Sequence, residues 1–257
     1  MLPIAAFPLH DPDGSALARL RCMEPDLQRI SARVVISPTH LTRERQAEAL
    51  ALLARNPLYH LVDNPADVGF GDQCLSAYRA AIELSAPEQT LHLCFEDRLS
   101  YALAGEHRVT FLADWAAACA EGQPILYQRS ERAWNTHPRT YWAIEAMATA
   151  AGELLFGRRL DFAWCHLALR AGVLAEALPA LHGGPDLTIL AELVLALRER
   201  IITRDVDWLA WEDPFVLGVD AAALQAEREL DTRDHEKRLG YVVPIVRAIL
   251  KATPPRP

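Results

Sequence analysis

The N-terminal part of the chain alternates short apolar runs with helical segments, and this alternation limits its fold more than any other feature. Pro3–Pro8 is an apolar run ending in His10, Asp11 and Pro12. Arg33–Ser37 (RVVIS) has the β-branched content of a strand. Leu58–Val62 is stopped by Asp63, Asn64 and Pro65, and Leu91–Phe95 runs into Glu96 and Asp97. Helical patterns lie between them over Ala16–Met23, Thr42–Arg55 (with Thr42 as cap) and Asp72–Ser85. Strands alternating with helices imply βαβ units, right-handed crossovers and a largely parallel sheet. Ligands of such sheets bind beyond the carboxyl ends of the strands, so His10, Asp63 and the Glu96–Asp97 pair are expected to rim one crevice. The same two carboxylates equally suit a helix N-terminus, whose free N–H groups favour acidic side chains.

The second half is less regular. Arg98–Ala120 reads as helical with a break near Gly105, and His137–Phe156 as a helix with Pro138 at its first position. Pro124–Tyr127, Phe162–Leu169 and Ile201–Trp211 read as strands. Ala171–Leu181 and Leu187–Arg200 read as helices separated by His182-Gly183-Gly184-Pro185. From Ala221 onward one or two helices carry the apolar stripe Leu239, Val242, Ile245 and Ile249. The expected division is a single α/β domain over 1–217, a helical extension over 218–252 and a disordered tail over 253–257.

At 257 residues and 51% hydrophobic, the chain can bury a large core. A net charge of -8 argues against a nucleic-acid binder that relies on bulk positive charge. No apolar run approaches the ~18 residues of a transmembrane helix. The opening MLPIAAFPLHDPDG lacks the regions of a signal peptide, so a cytoplasmic location is expected. The five cysteines are widely spaced with no CxxC pair, which speaks against a zinc site or a disulfide framework.

Several groups of residues carry chemistry. Gly69 and Gly71 lie between a strand and a helix, where glycine lets backbone approach a phosphate. A lone G-x-G also reads as a plain turn, and neither a Rossmann nor a Walker fingerprint is present. Gln128–Trp142 (QRSERAWNTHPRTYW) packs Arg129, Arg132, His137 and Arg139 with Trp134, Tyr141 and Trp142. In an acidic chain this suggests an anion site, since arginine forks suit carboxylate or phosphate; the other reading is a solvated loop and a Pro-started helix. Asp161 and Asp186 are candidate catalytic bases, Asp186 equally a helix cap. Asp205, Asp207, Glu212 and Asp213 read mostly as solvated. The histidines have no ligand spacing, and a G-x-S-x-G elbow is missing. Cys165 and His166, as neighbours on a strand, point to opposite faces.

In order and spacing these elements resemble the GT-A glycosyltransferase fold, nearest to the mannosylglycerate synthase type. The features are an opening strand into Phe7-Pro8-Leu9-His10, Asp63 after the third strand, the Gly69/Gly71 loop before a helix with Ser76 and Ala77, and a strand ending in Glu96 and Asp97. The resemblance implies a GT-A-like (Rossmann-like), mostly parallel sheet flanked by helices, with C-terminal helices. It implies an enzyme that transfers a sugar from a nucleotide-diphospho-sugar to a small, anionic acceptor. Pro8, His10 and Asp63 would then line the nucleotide pocket, and Gly69, Gly71 and Asp72 would lie beside the diphosphate. Glu96 and Asp97 would stand at the D-x-D position that holds a divalent cation, Mg or Mn. The third position here is Arg98 instead of Asp. Two alternatives follow: Arg98 neutralises the diphosphate directly, or the protein is a non-catalytic ligand or partner binder with a degenerate metal site. Asp186 falls near the late acidic position that acts on the acceptor hydroxyl, and Arg129, Arg132, His137 and Arg139 would hold the acceptor's charge.

Overall fold

The structure, a computed structural model, describes residues 1–66 and 68–252; the expected disordered tail over 253–257 lies outside them. Strands β1 (Ile4–Leu9), β2 (Arg33–Pro38), β3 (Tyr59–Leu61) and β4 (Thr90–Leu93) run parallel, with β1 between β2 and β4. Helices α1 (Ser15–Ile30), α2 (His40–Arg45), α3 (Ala47–Leu53) and α4 (Phe70–Glu83) make the crossovers. The predicted helix over 42–55 is two helices. Thr39 caps the first by accepting the Thr42 N–H, while Thr42 itself is buried and takes the Asp11 N–H. Gln46 leaves helical geometry, and its side-chain amide donates to the Pro12 carbonyl.

After β4 the chain enters α5 (Glu96–Ala104) and α6 (Arg108–Ala118), broken at Gly105. Then follow β5 (Ile125–Arg129), α7 (Glu131–Trp134), α8 (Arg139–Phe156), β6 (His166–Arg170), α9 (Ala171–Ala177) and α10 (Thr188–Leu197). The chain closes with β7 (Ile202–Val206), α11 (Asp213–Leu217), α12 (Ala221–Leu230) and α13 (Thr232–Lys251). The predicted strand over 162–169 forms only in its second half. Asp161 accepts the Ala163 N–H and turns the chain, and the Trp164 indole is tied to the Leu190 carbonyl.

The sheet order is β3-β2-β1-β4-β6-β5-β7. Only β6 is antiparallel to its neighbours. Its amino end therefore lies at the carboxyl edge of β4 and β5, which brings the segment before it to the same rim. Side chains alternate across a strand. Ile4 and Ala6 accordingly join one core cluster while Ala5, Phe7 and Leu9 join the other, one on each face of the sheet. Burial on both faces is why β1 and β2 read as continuous apolar runs. Val242, Ile245 and Ile249 of α13 belong to the first cluster, so the C-terminal helix packs on the same core as the sheet; Leu239 of the expected stripe is 40% exposed.

Candidate functional site

Beyond the carboxyl ends of β4 and β5 lies a cavity of about 810 Å³. Phe95, Asp97 and Arg98 enter it around the start of α5, Arg129 from the end of β5, and Cys165 from the segment before β6. Asp186 comes from the loop before α10, and Glu212 and Asp213 from the start of α11. Tyr141 and Glu145 of α8, and Asp234, Lys237 and Arg238 of α13, close the other side.

Most of the cations here are already paired. Arg98 is buried, donates to the Ala210 carbonyl at 2.9 Å and forms an ion pair with Glu212. Burial pushes the Glu212 carboxyl up to about 8, against the pull of Arg98. Arg129 donates to Asp161 at 2.9 Å and to Glu145 at 2.6 Å, and stacks 3.8 Å from the Trp134 ring. Arg238 donates to Glu145 at 3.2 Å and lies over Tyr141, and Arg228 pairs with Asp234 at 3.2 Å. Among the described residues, Asp97, Asp186 and Asp213 face this cavity without a cation partner, and Lys237 does so without a carboxylate. The cavity therefore combines an internally neutralised ionic floor with three carboxylates that have no cation partner, of which Asp97 accepts the Arg98 N–H and Asp186 the Thr188 N–H.

The structure brings Asp97, Arg98, Arg129 and Asp186 of the sequence-predicted residues to this cavity and leaves others elsewhere. Glu96 is not free to hold a metal: Arg19 takes its two oxygens at 3.0 and 2.7 Å. Burial still pushes its carboxyl up to about 7, against Arg19. Glu96 and Asp97 are also the first residues of α5, so the helix-N-terminus reading holds for both. No three His, Cys, Asp or Glu side chains gather as a metal site among the described residues. Divalent cations at diphosphate sites take one or two protein carboxylates together with phosphate oxygens and water, and with Glu96 clamped, Asp97 is the member of this pair left facing the cavity.

Gly69, Gly71 and Asp72 serve a different contact from the expected one beside a diphosphate. Gly71 donates to the Gly184 carbonyl, and a Cβ on Gly69 would come within 2.3 Å of Gly184 and Pro185. Asp72 accepts the Gly69 N–H and occupies the space where a Gly183 Cβ would sit. These glycines let two loops touch backbone to backbone. Pro8, His10 and Asp63 lie at the carboxyl ends of β1 and β3, on the same edge as the cavity. His10 meets Thr39 at 3.2 Å, and Asp63, 96% exposed, pairs with Arg43.

The basic cluster does not converge. Arg129 is spent on Asp161 and Glu145, which also removes Asp161 from the role of a free base. Arg132 is 72% exposed and pairs with Asp207 at 3.5 Å. His137 is buried against the Ala133 carbonyl, and burial together with Arg129 holds its pKa well below the usual histidine value. Arg139 is exposed at the start of α8. Sequence reasoning missed Glu145, Glu212, Asp213 and the α13 residues; Glu212, read as solvated, is 5% exposed. The available signal was in α8 and α13. Tyr141–Glu145 and Asp234–Arg238–Tyr241 recur at helical spacing, which puts polar groups on one face.

No protein-family model matches the chain, and no curated protein matches it in sequence. Among solved structures it is similar to glucosyl-3-phosphoglycerate synthase from Mycobacterium tuberculosis in complex with Mn2+, UDP and phosphoglyceric acid. That match has a TM-score of 0.50 at 11% identity and covers 93% of this chain and 79% of the other. A second similarity, to 4-diphosphocytidyl-2C-methyl-D-erythritol synthase from Anaerococcus prevotii, has a TM-score of 0.41 at 7% identity over 87% and 99% of the chains. The first likeness is one of fold: a GT-A-like α/β architecture with a mostly parallel sheet and C-terminal helices.

Proposed function

We propose that the protein transfers a sugar from a nucleotide-diphospho-sugar to a small acceptor in the cavity beyond β4 and β5. The observation that carries this reading is the placement of three unpaired carboxylates, Asp97, Asp186 and Asp213, around one cavity at the ligand-binding edge of a GT-A-like sheet. The nucleoside would lie along the edge marked by Pro8, His10 and Asp63, with the diphosphate toward Asp97 and Arg98. Asp186 would accept the proton of the acceptor hydroxyl, a role supported by its having only the Thr188 N–H as a described hydrogen-bond partner. Lys237, the cation of this cavity without a carboxylate partner, would stabilise charge on the departing diphosphate. With Glu96 clamped by Arg19, a divalent cation would be held by Asp97 together with diphosphate oxygens and water, and would supply charge neutralisation at the leaving group.

The same clamp favours a second reading, a GT-A-like protein that binds its ligand without turnover. Thermal shift with UDP- and GDP-sugars, with and without Mn²⁺, followed by a nucleotide-release assay with phosphoglycerate as acceptor, separates the two. Stabilisation with nucleotide release, lost ~100-fold or more in Asp186→Asn, supports transfer. Stabilisation without release supports the binder. A folded protein indifferent to every nucleotide-sugar would rule out transfer.

A further inference from the structure

A second cleft, of about 660 Å³, lies on the other side of Arg129. Its floor is the face of α8 carrying Ala146, Thr149 and Ala150, with Trp142 at one end and Glu153 at the other. Trp134 of α7 faces it from the opposite wall. The Arg129 guanidinium covers one face of Trp134, whereas Trp142 is 49% exposed and offers a flat apolar surface to solvent. Asn135 and Arg159 supply donors around it, and Glu131, Glu153 and Asp205 supply acceptors, while Asp161 is taken up by Arg129 and Gln128 by Asp205 and the Asp161 N–H.

We propose that this cleft binds neutral carbohydrate, with a pyranose ring lying on Trp142. The apolar C–H face of a sugar matches an indole, and its hydroxyls match mixed carboxylate and amide groups at the rim. Charge selects the class. Glu131, Glu153 and Asp205 face a single guanidinium, Arg159, since Arg129 is already neutralised by Asp161 and Glu145. Phosphorylated and acidic sugars are therefore disfavoured. A purely apolar ligand would leave the polar rim unpartnered, which is costly.

This inference does not depend on the nucleotide-sugar reading, because the cleft is tested without donor. Tryptophan fluorescence and saturation-transfer NMR with neutral di- and trisaccharides of gluco, manno and galacto configuration provide the test. At least one should bind saturably, and Trp142→Ala should weaken it about tenfold or more. Ala150→Trp, which fills the floor of the cleft, should weaken it likewise while the melting temperature confirms folding. The inference is overturned if folded wild-type protein binds none of these sugars, if Trp142→Ala leaves binding unchanged, or if phosphorylated sugars bind more tightly.

Discussion

Arg19 reaches from α1 to take both oxygens of Glu96, and this pair shows how residue-scale contacts redirect a motif. Glu96 is 5% exposed, so its charge needs a partner. Arginine supplies one with fork geometry, at the expense of the carboxylate's availability to a ligand. Arg19→Ala should cost about 2–3 kcal/mol in urea denaturation at pH 8, below the range for fully buried pairs because Arg19 is 20% exposed. Adding Glu96→Gln should recover part of that loss. If the single and double variants are equally stable, the pair is not what holds Glu96. Asp97, one residue on, faces the cavity instead. Adjacent positions on one helical turn point in different directions, and no motif match can say which of the two carboxylates faces a ligand.

At the scale of elements, α8 is set by a close approach to the segment before β6. A Cβ on Gly152 would come within 2.1 Å of the Phe162 ring, which is fully buried. Helix propensity alone favours Gly152→Ala by about 1 kcal/mol. The clash outweighs it, because a ring packed on all sides cannot swing away, and overpacking costs roughly 1–3 kcal/mol. Thermal melting of Gly152→Ala should therefore show a net loss of stability; an increase in melting temperature would mean that the helix can shift. This approach has a functional consequence: α8 carries Tyr141 and Glu145 into one cavity and Trp142 into the other. Most of the longer helices were legible in the sequence from their period, but α1 runs on to Ile30, well past the expected end at Met23, and the short α7 was not foreseen. The break at Gln46 was not legible either, because it depends on a bond to Pro12 far along the chain.

For the whole molecule, buried titratable groups of opposite sense bound the pH range of stability. His92 and His166 are fully buried, meet at 2.9 Å, and His92 stacks on Trp115. Burial lowers both, His166 to about 3. The unfolded chain binds protons at these sites first, so their contribution is lost as pH falls from about 6.5 toward 3. Glu96 and Glu212 are raised to about 7 and 8, so their contribution is lost as pH rises from about 4.5 through those values. Between 4.5 and 6.5 the two effects oppose; stability should decline on either side. Chemical denaturation across pH 3–9 checks this, with Glu212→Gln flattening the alkaline limb and His166→Phe the acid limb. A monotonic profile would contradict it.

The sequence by itself determined the α/β class, the parallel first half and the edge of the sheet where ligands meet the chain. These follow from local periodicity and from the rule that crossovers share one hand, neither of which needs a distant partner. Only the tertiary structure decided which charges are free. Arg98, Arg129, Glu96 and Asp161 all looked available, and each is bound to a residue far away in sequence. Glu212 and Asp213 looked like solvated surface, and both line the cavity. The reason is physical: an ionic side chain's role depends on which opposite charge and how much solvent it meets, and both are set by long-range packing.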